Sequence, residues 1–314
     1  MTRAIPRLQA IPKDQIFSSG ELGRAALAEP SDDHKGVRIR IDATPGPSEL
    51  EALRDWVGRH AARVVVEVGA KVPLGVLEHV AGVPFVVLRS RTDLDGLEAM
   101  PASVRRLSIG KHTKALDLGG LPALPHLEEL QLDAPSVSRG PTLPALRTLA
   151  WLMATDKALP FIEQQASLFE LALKNASVTS LPASGIERLL LFYSSKLTSL
   201  RGIEKLQDLR FLRLDEPKRM ARLGDLSAMR QLRVVQLVGA QTIGDLSDLC
   251  SAPALETLNV TLTKLDAAPF KALKGKLTGG SFSLKTPKAT RELLDHLEIP
   301  VVQGGWHEPT LFDL

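Results

Sequence analysis

Cysteine occurs once in the 314 residues, at Cys250. That excludes a disulfide scaffold and any zinc site built from several thiolates. Aromatic residues are only 4% of the chain, with a single Tyr, so a core must be built from Leu, Val, Ile and Ala. No apolar run approaches the ~18 residues of a membrane span, and the opening MTRAIPRLQAIPKDQIF lacks the unbroken apolar core of a signal peptide. These features predict a soluble cytoplasmic protein without a membrane contact, in which the sequons at Asn175 and Asn259 are chance matches. Neither sign of charge dominates: 39 Lys and Arg against 36 Asp and Glu leave a net +3. The concentrated basic stripe of a committed nucleic-acid binder is missing.

Catalytic motifs are missing too. SIGKHTK offers Gly110 and Lys111, but Arg105 stands where the first glycine of a nucleotide-binding loop belongs. There is no GxSxG elbow and no HExxH. The histidines (His34, His60, His79, His112, His126, His296 and His307) are scattered without ligand spacing. His296 and Glu298 lie close together, yet such pairs are more often solvated than metal-binding. Cys250, in DLCSAP, is expected to face the packed interior as a structural thiol and not to act as a nucleophile. The reading is of a chain that is not an enzyme, with no catalytic residues, no cofactor, no metal site and no small-molecule substrate.

What is present is a repeat. LRFLRL begins at Leu209, LRVVQL at Leu232 and LETLNV at Leu255, each 23 residues after the last. Earlier copies are VRRLSI at Val104, LEELQL at Leu127, LRTLAW at Leu146, LFELAL at Leu168 and IERLLL at Ile186. VPFVVL at Val83 is a weaker copy, and ARVVVE at Ala62 fits less well. Apolar residues at the first, fourth and sixth positions supply a strand with alternate side chains inward, preceded by one more buried anchor. Between copies the apolar period is three: Leu197, Leu200, Ile203, Leu206 and Leu209, then Leu223, Leu226 and Met229, then Ile243, Leu246 and Leu249. A period of three fits 3₁₀-like or extended turns, in which every third residue faces the same way. Each coil is thus predicted to have a strand on one side and a tight return on the other. No single coil can bury its leucines alone; stacking does.

These templates and spacings resemble the leucine-rich repeat family, nearest its short 22–23-residue branch of internalins and leucine-rich phosphatase regulators. The resemblance covers roughly residues 83 to 284. It implies an α/β solenoid, with a curved parallel β-sheet and 3₁₀ or short-helix returns on the convex side, that binds another protein on its concave face. One departure is plain. The family favours Asn three residues after the last template anchor, and here that place holds His112, Pro135, Ala154, Ala176, Ser194, Pro217, Ala240 and Thr263. Ser194 and Thr263 are expected to substitute in part for the missing amides.

The ends differ from the middle. Ser48 and Glu51 stand at capping-box spacing in PSELEALRDWVGRH, with Leu50, Leu53 and Val57 on one helical face. The chain is read as one domain: a cap or mobile segment over 1–35, broader βα coils over 36–100, short repeats over 101–284, and a C-terminal cap over 285–314. In that cap Thr286 and Pro287 start a helix carrying Leu293, Leu294 and Leu297. Trp306, Leu311 and Phe312 are expected to seal the final coil. Between Ala267 and Arg291 lie Lys271, Lys274, Lys276, Lys285, Lys288 and Arg291 with no acid, read as a solvated face.

The functional signal lies at the third, fifth and seventh template positions, which point outward. There Leu152, Leu190, Phe192, Phe211, Val234 and Val238 form an apolar strip across several coils. Glu170, Lys174, Arg188 and Arg213 edge it, with Tyr193 one residue beyond. An exposed apolar strip with a charged rim predicts a surface for a partner protein. Leu152, Leu190, Phe192, Phe211, Arg188, Arg213, Val234 and Val238 are the expected partner-binding residues. Two alternatives stay open: a regulatory or targeting subunit of an enzyme, and a binder of phosphate-rich or nucleic-acid ligands through the basic segment near the C-terminus.

Overall fold

The computed structural model describes residues 16–17, 37–91, 93–243, 246–261 and 265–299. The sealing strip at Trp306, Leu311 and Phe312, the side chain of Thr263 and, apart from one two-residue strand, the segment 1–35 lie outside them. The chain divides between Leu146 and Arg147 into two compact units.

The first unit contains strands β1 (Ile16–Phe17), β2 (Val37–Ile41), β3 (Val64–Val68), β4 (Phe85–Leu88), β5 (Arg106–Ile109), β6 (Leu116–Asp117), β7 (Glu129–Asp133) and β8 (Val137–Arg139). All but β6 and β8 pair in sequence order as one parallel sheet. β6 and β8 pair separately. Ile39, Val66, Val86, Leu107 and Leu130 stand side by side in register, each at most 1% exposed. Removing each such side chain from water contributes about 1.5–3 kcal/mol.

Helix α1 (Pro47–His60) links β2 to β3 and buries Leu53, Trp56 and Val57, with Leu50 half-buried. Its cap is not the expected Ser48–Glu51 pair. Pro47 sets the first helical turn earlier, and the Gly46 N–H donates to Glu49 Oε2 at 2.7 Å. The later returns are 3₁₀ turns at Leu74–His79 and Leu97–Ala99.

The second unit contains β9 (Thr148–Leu152), α2 (Leu159–Glu163), β10 (Glu170–Lys174), β11 (Arg188–Phe192), β12 (Phe211–Asp215), β13 (Val234–Val238), α3 (Asp248–Ser251), β14 (Thr257–Thr261), β15 (Gly279–Phe282) and α4 (Pro287–Leu297). The strands form one parallel sheet in chain order. Fourth-position residues Leu149, Leu171, Leu189, Leu212, Val235 and Leu258 make one continuous row of fully buried side chains. Trp151, Leu173, Leu191, Leu214, Leu237 and Val260 make a second, none more than 2% exposed. The returns bury their three-residue period as the leucines foretell: Leu197, Leu200, Ile203, Leu206 and Leu209 are all at most 2% exposed. Both units are therefore runs of leucine-rich-repeat coils, with short helices and 3₁₀ turns opposite the sheet.

The missing asparagines have a structural answer. One residue before the position where the family favours Asn, the backbone is left-handed in five successive coils: Met153 (φ 62°), Asn175 (53°), Tyr193 (54°), Glu216 (43°) and Gly239 (61°). Each turns its N–H to a carbonyl of the next strand, at Lys174, Phe192, Asp215, Val238 and Thr261 respectively, over 2.8–2.9 Å. Main chain thus links the coils where an amide side chain would have done so. The next position needs only a small side chain, and Ala154, Ala176 and Ala240 fill it without exposure. Ser194 does not replace an amide: its Oγ is buried and makes no hydrogen bond among the described residues, because backbone already serves that place.

Cys250 is half-buried and not interior. The turn of α3 gives the inward places to Leu249 and Ala252, both 0% exposed, and leaves the thiol on its flank. On the same turn Asp248 accepts from Gly224 N at 2.8 Å and Arg222 Nη2 at 3.2 Å, tying two coils together. At the far end Thr286 Oγ1 caps α4 by accepting from Ala289 N at 3.1 Å, and Leu293 and Leu297 are buried while Leu294 is half-buried.

Candidate functional site

On the outward face of the second unit, strand register places the side chains in three rows. The third template positions give Thr148, Glu170, Arg188, Phe211, Val234 and Thr257; the fifth give Ala150, Ala172, Leu190, Arg213, Gln236 and Asn259. The seventh give Leu152, Lys174, Phe192, Asp215 and Val238. The register gives Leu152, Arg188, Leu190, Phe192, Phe211, Arg213, Val234 and Val238 third, fifth or seventh places in these rows.

Its exposure differs from expectation. Leu190 and Phe192 are 5% exposed and Phe211 8%, and with Ala150 and Ala172 they form a small buried cluster of their own. Tyr193 and Val234 pack against it, half-buried, and Leu152 and Val238 are half-exposed further along. The strip is therefore not an open apolar stripe. The reason lies in the arginines, which were expected at its edge and in fact lie over the rings.

The Arg188 guanidinium sits 4.3 Å from the centre of the Phe211 ring, and Arg213 5.3 Å from that of Phe192. Each arginine is also held by a carboxylate: Arg188 Nε donates to Glu170 Oε2 at 2.6 Å, and Arg213 Nη2 to Asp215 Oδ2 at 3.0 Å. Both pairs are largely shielded, with side-chain exposures of 21% and 10% for the first and 15% and 14% for the second. Charge, ring and carboxylate thus alternate across neighbouring strands. A guanidinium on an aromatic face contributes about 0.5–1 kcal/mol when exposed and ~2 kcal/mol when desolvated. Among the described residues Arg213 Nε, which is buried, has no hydrogen-bond partner.

Asp215 is a member of the cluster that the apolar pattern does not single out. The signal was available, since residues two apart on a strand share a face and Arg213-Leu214-Asp215 is an ion pair waiting to be read. The basic segment near the C-terminus is partly spoken for: Lys274 Nζ meets Glu298 Oε1 at 2.5 Å, Lys276 Nζ donates to the Cys250 carbonyl, and Lys288 faces Glu292. No helix among the described residues is long and apolar enough to cross a membrane.

No protein-family model matches the chain, and no curated protein matches it. Solved structures similar to it include InlP of Listeria monocytogenes, at 17% identity and TM-score 0.44 over 74% of this chain and 64% of that one. The chain thus spans just under two thirds of InlP. An internalin, InlF, from the same organism shares 14% identity at TM-score 0.43, over 81% of this chain and 76% of its own. A leucine-rich-repeat protein of Leptospira interrogans shares 18% at TM-score 0.46, over 82% and 75%. The chemistry of the face rests on this chain's own residues.

Proposed function

We propose that this chain is a non-catalytic protein-interaction module of the cytoplasm, and that a partner protein docks on the outward face of the second unit. The observation that carries the reading is the aromatic–arginine cluster of Phe192, Phe211, Arg188 and Arg213. Aromatic residues and arginine are the types that concentrate binding energy at protein interfaces. The half-exposed Leu152, Val234, Val238 and Tyr193 around it supply apolar area that a partner can cover. Each arginine is largely shielded with its carboxylate, so a partner must offer the guanidinium a carboxylate in place of the one it leaves. A partner carboxylate can take over the guanidinium while an apolar side chain of the partner settles on the ring.

The test is affinity capture with wild-type protein and the Leu152→Asp/Val238→Asp double variant side by side. Both positions are half-exposed, and circular dichroism with a melting curve checks that the variant is folded. The reading predicts a protein band retained by wild type and weakened at least ~10-fold in the variant, because a carboxylate buried without a partner is costly at an interface. Equal retention by both proteins, or capture only of nuclease-sensitive material, overturns it.

A further inference from the structure

The outward face of the first unit carries an ion cluster of its own. Arg38 and Arg40 share that face of β2, since residues two apart on a strand point the same way. Register sets Arg40 beside Glu67 of β3, and Arg89, the residue after β4, reaches the same carboxylate from the other side. Arg89 Nε donates to Glu67 Oε1, Arg40 Nε lies 3.2 Å from Oε1, and Arg38 Nη1 lies 3.5 Å from Oε2. The glutamate is shut beneath them, its side chain 3% exposed, while Arg38, Arg40 and Arg89 keep 32%, 25% and 44% of theirs in solvent.

The charges do not balance. Three guanidinium groups against one carboxylate leave a net +2 at one spot. Neighbouring acids do not make up the difference: Asp42, past the end of β2, is exposed and pairs with none of the three, and Glu129 is taken up by Arg106 at 2.5 Å. Arg91 stands apart, donating from Nη1 to the Gly69 carbonyl at 2.9 Å. Arg40 and Arg89 meet Glu67 through Nε, and their Nη ends have no partner among the described residues. One guanidinium suffices to neutralise a buried glutamate. Two more, half-shielded beside it, repel one another unless an anion lies across them. Planar guanidinium forks match phosphate oxygens in pairs, and a phosphomonoester carries about −1.5 to −2 at pH 7, which answers the excess. A single carboxylate would answer only half of it.

We propose that the three arginines gathered on Glu67 bind a phosphomonoester group, its oxygens taken by Nη atoms of Arg38, Arg40 and Arg89 while the buried glutamate holds these side chains together. The phosphoryl group belongs either to a free small ester or to a phosphorylated side chain of a polypeptide. The site lies wholly in the first unit and stands or falls independently of the docking face on the second.

The test is calorimetric titration of the full chain, in phosphate-free buffer near neutral pH and at physiological ionic strength. The probes are phenyl phosphate, a blocked Gly-phosphoserine-Gly peptide and a blocked Gly-Glu-Gly peptide. The proposal predicts binding of at least one phosphate probe, with the glutamate peptide at least ~10-fold weaker. Arg38→Gln with Arg89→Gln, at the two more exposed positions, lowers the phosphate affinity at least ~10-fold, with circular dichroism checking the fold. Should that variant not fold, Arg89→Lys keeps the charge, loses the fork and lowers the affinity at least ~3-fold. Tighter binding of the phosphopeptide than of phenyl phosphate assigns the group to a polypeptide, and the reverse order to a small ester; each order upholds the site. No binding of either phosphate probe at millimolar concentration overturns it, as does an affinity unchanged in the folded arginine variants or equal binding of the glutamate peptide.

Discussion

Met153, Asn175, Tyr193 and Glu216 adopt a backbone conformation that glycine takes freely and that costs other L-residues about 1–2 kcal/mol. The cost is met by the inter-coil hydrogen bond each N–H makes, and the residue types reveal nothing of it except at Asn175 and Gly239. His112 carries the residue-scale pH dependence. Its folded pKa is lowered by burial and by Arg91, against the opposing pull of Asp133 and Asp93. Between that value and the ordinary imidazole value of about 6.5 the unfolded chain binds more protons, so stability is lost as pH falls through this window. Asp133, whose pKa burial raises, acts in the opposite sense, gaining stability as pH falls from its folded value towards the ordinary aspartate value. Urea midpoints compared at about pH 7.5 and about pH 5.5 should therefore drop more for wild type than for His112→Gln. Equal drops would show that the imidazole takes up its proton as freely in the fold as out of it.

At the scale of elements, the strands were legible because fourth- and sixth-position apolar residues alternate with solvent-tolerant ones, and eight templates each became a strand. A further strand, β15, was hidden. Its template LTGGSF has Gly280 where the other copies carry Leu or Val. A Cβ there would come within 2.4 Å of the Leu258 carbonyl oxygen, so close approach of two coils replaced the apolar signal with its absence. The β6–β8 pair was hidden for a different reason, since LD and VSR are too short to show a period. On the candidate face the positions were legible but the burial was not, because inward or outward direction is a matter of parity while burial depends on which neighbour lies across the ring. Phe211→Ala accordingly should lower stability by about 2–3 kcal/mol, and Leu212→Ala, in the inward row, by ~2–5 kcal/mol. A Phe211→Ala protein that melts like wild type would mean that the Arg188 stack contributes nothing to the fold.

At the scale of the whole molecule, each unit is a stack in which every coil buries its leucines only against its neighbours, and the same stacking repeats a row of outward positions every coil. A sequence with so few aromatics places two of them, Phe192 and Phe211, on adjacent outward strands and covers each with an arginine. The account's central claim is that this cluster and its apolar surround receive a partner protein. Amide hydrogen–deuterium exchange on the captured complex, compared with the free chain, addresses it most directly. The account predicts added protection in β9 to β13 and their adjoining left-handed turns, with α4 unchanged. Protection confined to α4 and the basic segment before it, with β9 to β13 exchanging as in the free chain, would contradict it.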